Sequence, residues 1–115
     1  MVIDNASGDE TKEIVKRYSE KGAITKLKLL DYNSLFAKGN NIASSMASPS
    51  STHFLLLNSD VEIKHPDWLR RLLDNHKRGA SSFGAIDGEL ARLDGYCFLI
   101  DADLYRKYLL DEQHE

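Results

Sequence analysis

With 115 residues, 42% hydrophobic and 29% charged, the chain is long enough for one modest core and too short for two domains. A formal net charge of −3, with basic residues scattered apart from the pair Arg70–Arg71, gives no electrostatic basis for a nucleic-acid partner. Cys97 is the single cysteine, which excludes an intramolecular disulfide and points to a reducing compartment. No apolar run approaches the roughly 20 residues that span a bilayer, and the segment from Met1 to Asp4 lacks the basic and apolar regions of a signal peptide. A cytoplasmic, soluble protein is expected.

Val2-Ile3 reads as the tail of a buried strand. Ser7-Gly8-Asp9-Glu10 fits a capping box, in which Ser7 accepts from the amide of Glu10 and the Glu10 carboxylate reaches back. Ile14, Val15 and Tyr18 follow at helical spacing, with Gly22 as the stop. Leu27 to Leu30 reads as a second strand. A helix is expected from about Leu35 to Ala47, with Ile42, Ala43 and Met46 inward and a loop through the serine-rich stretch to Thr52. Phe54-Leu55-Leu56-Leu57 is continuously apolar, the pattern of a strand covered on both faces. Pro66 suits a first helical turn, and Trp68, Leu69, Leu72, Leu73 and His76 form one stripe. Phe83 to Ile86 and Tyr96 to Ile100 are strand candidates. A last helix begins near Asp101, with Leu104, Tyr105, Tyr108 and Leu109 on one face. Strands alternating with helices define an α/β layered domain with a mostly parallel sheet flanked by helices.

The apolar run Val2-Ile3 ends in Asp4-Asn5, and Phe54–Leu57 ends in Asn58-Ser59-Asp60. Ligands of open parallel sheets bind beyond the carboxyl ends of the strands, so these polar clusters are candidate site positions. Asn, Ser and Asp also make ordinary turns and caps there. The histidines His53, His65, His76 and His114 show no metal-ligand spacing and read as surface or helix-stripe residues. Cys97 reads as a buried core thiol.

Four segments carry a family resemblance. Met1 to Thr11, apolar residues and then Asp-Asn-x-Ser-x-Asp, resembles the second-strand motif of family 2 glycosyltransferases. Asn33-Ser34-Leu35-Phe36-Ala37-Lys38-Gly39-Asn40-Asn41 is similar to that family's Asn-x-Gly-Phe-x-x-Gly-x-Asn, with Leu35 in place of the first glycine. Phe54 to Ile63 resembles the strand with the DxD motif, in the Asn58-Ser59-Asp60 form of the rhamnosyltransferase-like branch, and Pro66-Asp67-Trp68-Leu69 matches the Pro-x-Trp-Leu that follows. Gly95 through Glu112 resembles the opening of the acceptor side.

The resemblance implies a GT-A fold and inverting transfer of a sugar from a nucleotide-diphosphate donor, UDP- or dTDP-linked, to a hydroxyl of a carbohydrate or lipid-linked acceptor. It implies a divalent cation, Mn²⁺ or Mg²⁺, held by Asp60, because a hard cation takes carboxylate and phosphate oxygens. Asp4 would accept the imide N–H of the base, and Asn5 beside it would also contact the nucleotide sugar. Asn58 and Ser59 would contact the donor, as would Asn33, Lys38 and Asn41 from the loop beneath it. Residues 1–65 correspond to the nucleotide-sugar half and 80–115 to the start of the acceptor side, a single partial domain. Family members carry a further strand before Val2, so a gap, or direct pairing of Val2-Ile3 with Phe54–Leu57, is expected. Exposed edges recruit partners, which predicts a homo-oligomer formed through a sheet edge. The family's general base normally follows Asp111-Glu112. Glu112 and Glu115 are the nearest acids, Glu112 being the candidate, so weak or no turnover is expected of this chain. A membrane-peripheral location would suit a full-length relative. The competing expectation is a non-catalytic nucleotide-binding or self-assembling α/β module. A nucleotidyltransferase would need a Gly-rich, Arg-containing phosphate loop, and a receiver domain a paired acidic cluster after its first strand. Neither pattern is present in the sequence.

Overall fold

The computed structural model describes residues 1–83, 86–87, 90–91 and 97–113. Gly95, Tyr96, His114, Glu115 and the middle of the expected strand from Phe83 to Ile86 lie outside the described residues. The chain forms two compact units, Met1–Pro49 with Leu109–Glu115, and Ser50–Tyr108. The donor and acceptor halves expected from sequence are functional divisions, and their limits differ from these structural ones.

In the first unit, β1 (Val2–Asn5), α1 (Asp9–Glu20), β2 (Leu27–Leu30) and α2 (Leu35–Met46) follow one another. Strands β1 and β2 pair in parallel, with Val2 opposite Leu27 and Asn5 opposite Leu30. Parallel neighbours need a crossover connection, which α1 supplies. Helix α1 ends as Gly22 predicts. Gly22 sits at φ +83°, its amide donates to Ser19 O, and that of Ala23 donates to Tyr18 O. These are the paired bonds of a Schellman cap, which satisfy carbonyls that the helix leaves open.

The expected capping box is not formed. Gly8 is the N-cap of α1, with no side-chain cap, and the amide of Ser7 donates instead to Asp4 Oδ2 at 3.1 Å. The carboxylate one turn back competes with the helix start and wins. The inward face of α2 also differs from expectation. Ala37, Gly39 and Asn41 are its buried residues, while Ile42, Ala43 and Met46 are half-buried.

Leu35, at the position where the resembled motif has glycine, opens α2 at φ +66°, and Asn33 Oδ1 accepts its amide at 2.9 Å. A left-handed conformation costs an L-residue roughly 1–2 kcal/mol, and glycine's extra chain entropy returns about 0.5–1 kcal/mol of that. Since Leu35 is 52% exposed, Leu35→Gly is expected to raise stability by about 0.5–1 kcal/mol, read as a higher urea midpoint at unchanged slope. A lower midpoint would show that the side chain contributes more than its backbone costs.

The second unit contains β3 (His53–Leu57), α3 (Trp68–Asp74), β4 (Ala80–Ser82), β5 (Ile86–Asp87), β6 (Leu90–Ala91), β7 (Cys97–Asp101) and α4 (Ala102–Lys107). Its main sheet has the order β3-β7-β4, and both pairs are antiparallel. Strands β5 and β6 form a separate antiparallel pair. The parallel character predicted from sequence therefore resides in β1 and β2. Strands β1 and β3 belong to separate sheets, one in each unit.

The core of this unit consists of Phe54, Leu56, Leu72, Cys97, Leu99, Ala102 and Tyr105. Strand β3 buries Phe54 and Leu56, leaves Leu55 half-buried and exposes Leu57, so its unbroken apolar run does not mean equal cover on both faces. Period-two geometry sorts it into two faces. Helix α4 packs on β3 and β7 through Tyr105, which is 1% exposed and meets the Phe54 ring edge-on at 5.6 Å. Tyr108 and Leu109, expected on the same buried stripe, are exposed, because α4 stops at Lys107 before a further turn can bring them inward.

Candidate functional site

The carboxyl end of β1 is tied down by its own polar side chains. Asp4 is buried and holds the turn through the Ser7 amide. Asn5 Oδ1 accepts from the amide of Ser34 at 3.0 Å and from its hydroxyl, joining the strand end to the start of α2. A Cβ on Gly39 would lie 3.3 Å from both Asn5 Nδ2 and Ser34 Oγ. Glycine there lets the helix approach Asn5 closely, a physical reason for this residue of the second motif. Lys38 is exposed, with Nζ 5.3 Å above the Tyr32 ring.

Asn41 is buried and its carboxamide is spent on the chain itself. Nδ2 donates to Leu110 O and to Glu112 Oε2, each at 3.0 Å, while Oδ1 accepts from the Leu110 amide at 3.2 Å. Asn41 thus holds the segment that carries Glu112, the sequence-predicted candidate base.

In the second unit, β3 delivers Asn58, Ser59 and Asp60 into a turn beyond its carboxyl end. Ser59 and Asp60 are exposed and Asn58 is half-buried. An apolar cleft of about 250 Å³ begins one residue earlier, at Leu57, and continues along Val61, Ile63, Trp68 and Phe83. An exposed carboxylate with an adjacent amide suits a hard cation that draws its other oxygens from phosphate.

The opposite end of β3 holds a cluster that the sequence did not reveal. His53 opposes Asp101 in the ladder, which brings the two side chains to one face. His76, just beyond α3, places Nε2 2.9 Å from Asp101 Oδ1, and His53 Nε2 lies 3.5 Å from the same oxygen. The imidazole rings meet edge-on at 5.3 Å. His76 Nδ1 is 2.7 Å from Ser81 Oγ and His53 Nδ1 is 2.9 Å from Thr52 Oγ1. The second carboxylate oxygen of Asp101 accepts the Gly79 amide at 2.8 Å and pairs with Arg78 at 3.1 Å. Arg78 also forms a two-pronged bond to Asp103.

The hydrogen bond from His76, followed by that from the Gly79 amide, holds the Asp101 carboxyl below the usual carboxylate range. Arg78 does the same for Asp103. One ligand atom from each of His53, His76 and Asp101 lies within 4.8 Å of the others, so the three could hold a metal ion. His53 is exposed and His76 half-buried, in keeping with surface and helix-stripe positions, and the pairing with Asp101 is what the sequence reading did not include. In sequence they are 23 positions apart, a separation that betrays nothing until β3 and β7 are paired.

The model of the family described as Glycosyl transferase family 2 matches residues 1–96, a span that takes in the polar ends of β1 and β3 and the start of α2. No curated protein and no solved structure matches the chain. The chain belongs to glycosyl transferase family 2, and its α/β architecture is of the GT-A type that this membership implies. Glycosyl transfer, from a nucleotide-sugar donor to an acceptor, is the general reaction of that family. No helix among the described residues is long and apolar enough to cross a membrane.

Proposed function

We propose that this chain carries the donor-binding machinery of an inverting, metal-assisted glycosyltransferase. The observation that carries the reading is the family match across residues 1–96, which includes every donor-side position from Asp4 to Asp60. Asp60 holds Mn²⁺ or Mg²⁺ against the donor diphosphate, and the cation neutralises charge that develops on the leaving group. Among the described residues its carboxylate has no partner, which suits this role. Asn58 and Ser59 offer neutral hydrogen-bonding groups beside it. Asp4 accepts the imide N–H of a uracil or thymine base, its position set by the Ser7 amide. Asn5 and Asn33 shape the backbone that faces the donor, and Lys38 offers charge to the diphosphate. Glu112, positioned by Asn41, stands nearest to the role of general base, taking the proton of the acceptor hydroxyl as it attacks the anomeric carbon.

Calorimetric titration of UDP tests this reading. Binding is expected to require Mn²⁺ and to disappear in Asp60→Ala. Binding that ignores both Mn²⁺ and Asp60 would remove the metal-assisted mechanism. Metal-dependent UDP binding without sugar transfer to any hydroxyl acceptor would select the alternative, a non-catalytic nucleotide-binding module.

A further inference from the structure

We propose that His53, His76 and Asp101 form a second metal site, separate from Asp60, that takes a borderline divalent ion of the Zn²⁺ class. The strand places the two sites apart. His53 begins β3 and Leu57 ends it, so about 13 Å of extended chain separates the cluster from the turn that carries Asp60.

The donor set selects the ion. Imidazole nitrogens paired with one carboxylate oxygen suit Zn²⁺, whereas Mg²⁺ and Ca²⁺ take oxygen ligands. The spacing is also suitable. With Zn–N and Zn–O bonds of roughly 2.0–2.2 Å, neighbouring ligand atoms in a tetrahedron lie about 3.3–3.5 Å apart. The observed separations from Asp101 Oδ1 are 2.9 Å to His76 Nε2 and 3.5 Å to His53 Nε2, and all three ligand atoms lie within 4.8 Å of one another, so seating an ion requires side-chain adjustment that draws the two imidazoles together. The His53 side chain is 38% exposed, which gives the ion a route in and leaves a fourth position to water.

The surroundings of the three ligands support the same reading. Metal-binding histidines almost always anchor their other ring nitrogen, and ligating carboxylates are themselves hydrogen-bonded. Here Ser81 and Thr52 anchor Nδ1 of His76 and His53. The Gly79 amide and Arg78 occupy Asp101 Oδ2, which leaves Oδ1 as the oxygen shared by both histidines. A hydroxyl both donates and accepts. Ser81 and Thr52 can therefore donate to bare Nδ1 when Nε2 carries the proton toward Asp101, and accept from Nδ1–H when an ion takes Nε2. Arg78 brings a positive charge to the cluster through Asp101, and its bond to Asp103 offsets its repulsion of an incoming ion. The ligands come from the start of β3, the end of β7 and the segment after α3, so a bound ion cross-links all three and stabilises the unit by mass action.

The test is titration of the metal-free protein with ZnCl₂ alone, followed by calorimetry and thermal unfolding, with CoCl₂ as the visible-absorption probe. The expected result is one ion per chain, a higher Tm that EDTA reverses, and Co²⁺ absorption bands of a four-coordinate site. Loss of a ligand in His53→Ala, a partly exposed position that leaves the core intact, is expected to weaken binding by more than about 10-fold, and Ser81→Ala by about 10-fold. Asp60→Ala and His65→Ala are expected to bind as the parent does. Absence of saturable Zn²⁺ binding would overturn the proposal, as would binding that survives His53→Ala unchanged. Neither result bears on UDP binding, so failure here and failure of the donor-site reading are separable.

Discussion

Tyr105→Ala is expected to destabilise the unit Ser50–Tyr108 by about 3–5 kcal/mol, the range for removing a fully buried large aromatic. Tyr105 is the largest fully buried side chain among the described residues. It anchors α4 to the sheet through its edge-on contact with Phe54, whose ring also carries the Arg106 guanidinium at 5.2 Å. A helix of six residues is far too short to persist by its own hydrogen bonds, so it depends on packing against the sheet, where Ala102 and Tyr105 are its buried residues. Truncation leaves a cavity between α4 and β3 that surrounding side chains refill only in part. Urea unfolding followed by the fluorescence of Trp68, the single tryptophan, reports on this unit. Tyr105→Phe keeps the ring contact and is expected to cost under about 1.5 kcal/mol. Equal losses in both variants would place the stabilisation in the hydroxyl rather than the ring.

Asn41→Ala is expected to cost about 1–3 kcal/mol and to release the segment Leu110–Glu112. The buried carboxamide satisfies both the N–H and C=O of Leu110 and one oxygen of Glu112. Alanine removes all of these partners at once and leaves main-chain groups to find water. Asn41→Asp separates geometry from charge. It keeps the acceptor for the Leu110 amide but sets a second carboxylate against Glu112, and is expected to be at least as disruptive. Hydrogen exchange read by mass spectrometry on peptides spanning residues 109–113 would show the effect as faster exchange at Leu110. Unchanged protection there would mean that other contacts hold the segment and Asn41 does not.

The second strand was read from sequence at its observed limits, Leu27–Leu30, and the end of α1 from a single glycine. In both cases the signal is local. Only glycine adopts φ +83° without strain, and a short apolar run bounded by polar residues has few other uses. The start of α1 was misread for an equally local reason. Ser7 and Asp4 both compete for the bonds of one turn, and residue types alone do not say which acceptor prevails. Faces were less legible than elements. Helix α2 turns a polar residue inward at Asn41, and α4 leaves Tyr108 in solvent, because the facing surface and the helix length decide which positions of a periodic pattern are covered.

The amino-acid sequence by itself determined the family, the α/β class and the polar ends of β1 and β3, because those motifs are short runs of chain in which order carries the information. Only the tertiary structure decided that β7 returns antiparallel beside β3. That direction lays Asp101, the last residue of β7, against His53, the first of β3, and the turn after α3 brings in His76. Strand direction is set by long-range packing and leaves no mark in local composition. A site made from three distant segments therefore exists only once those segments have met.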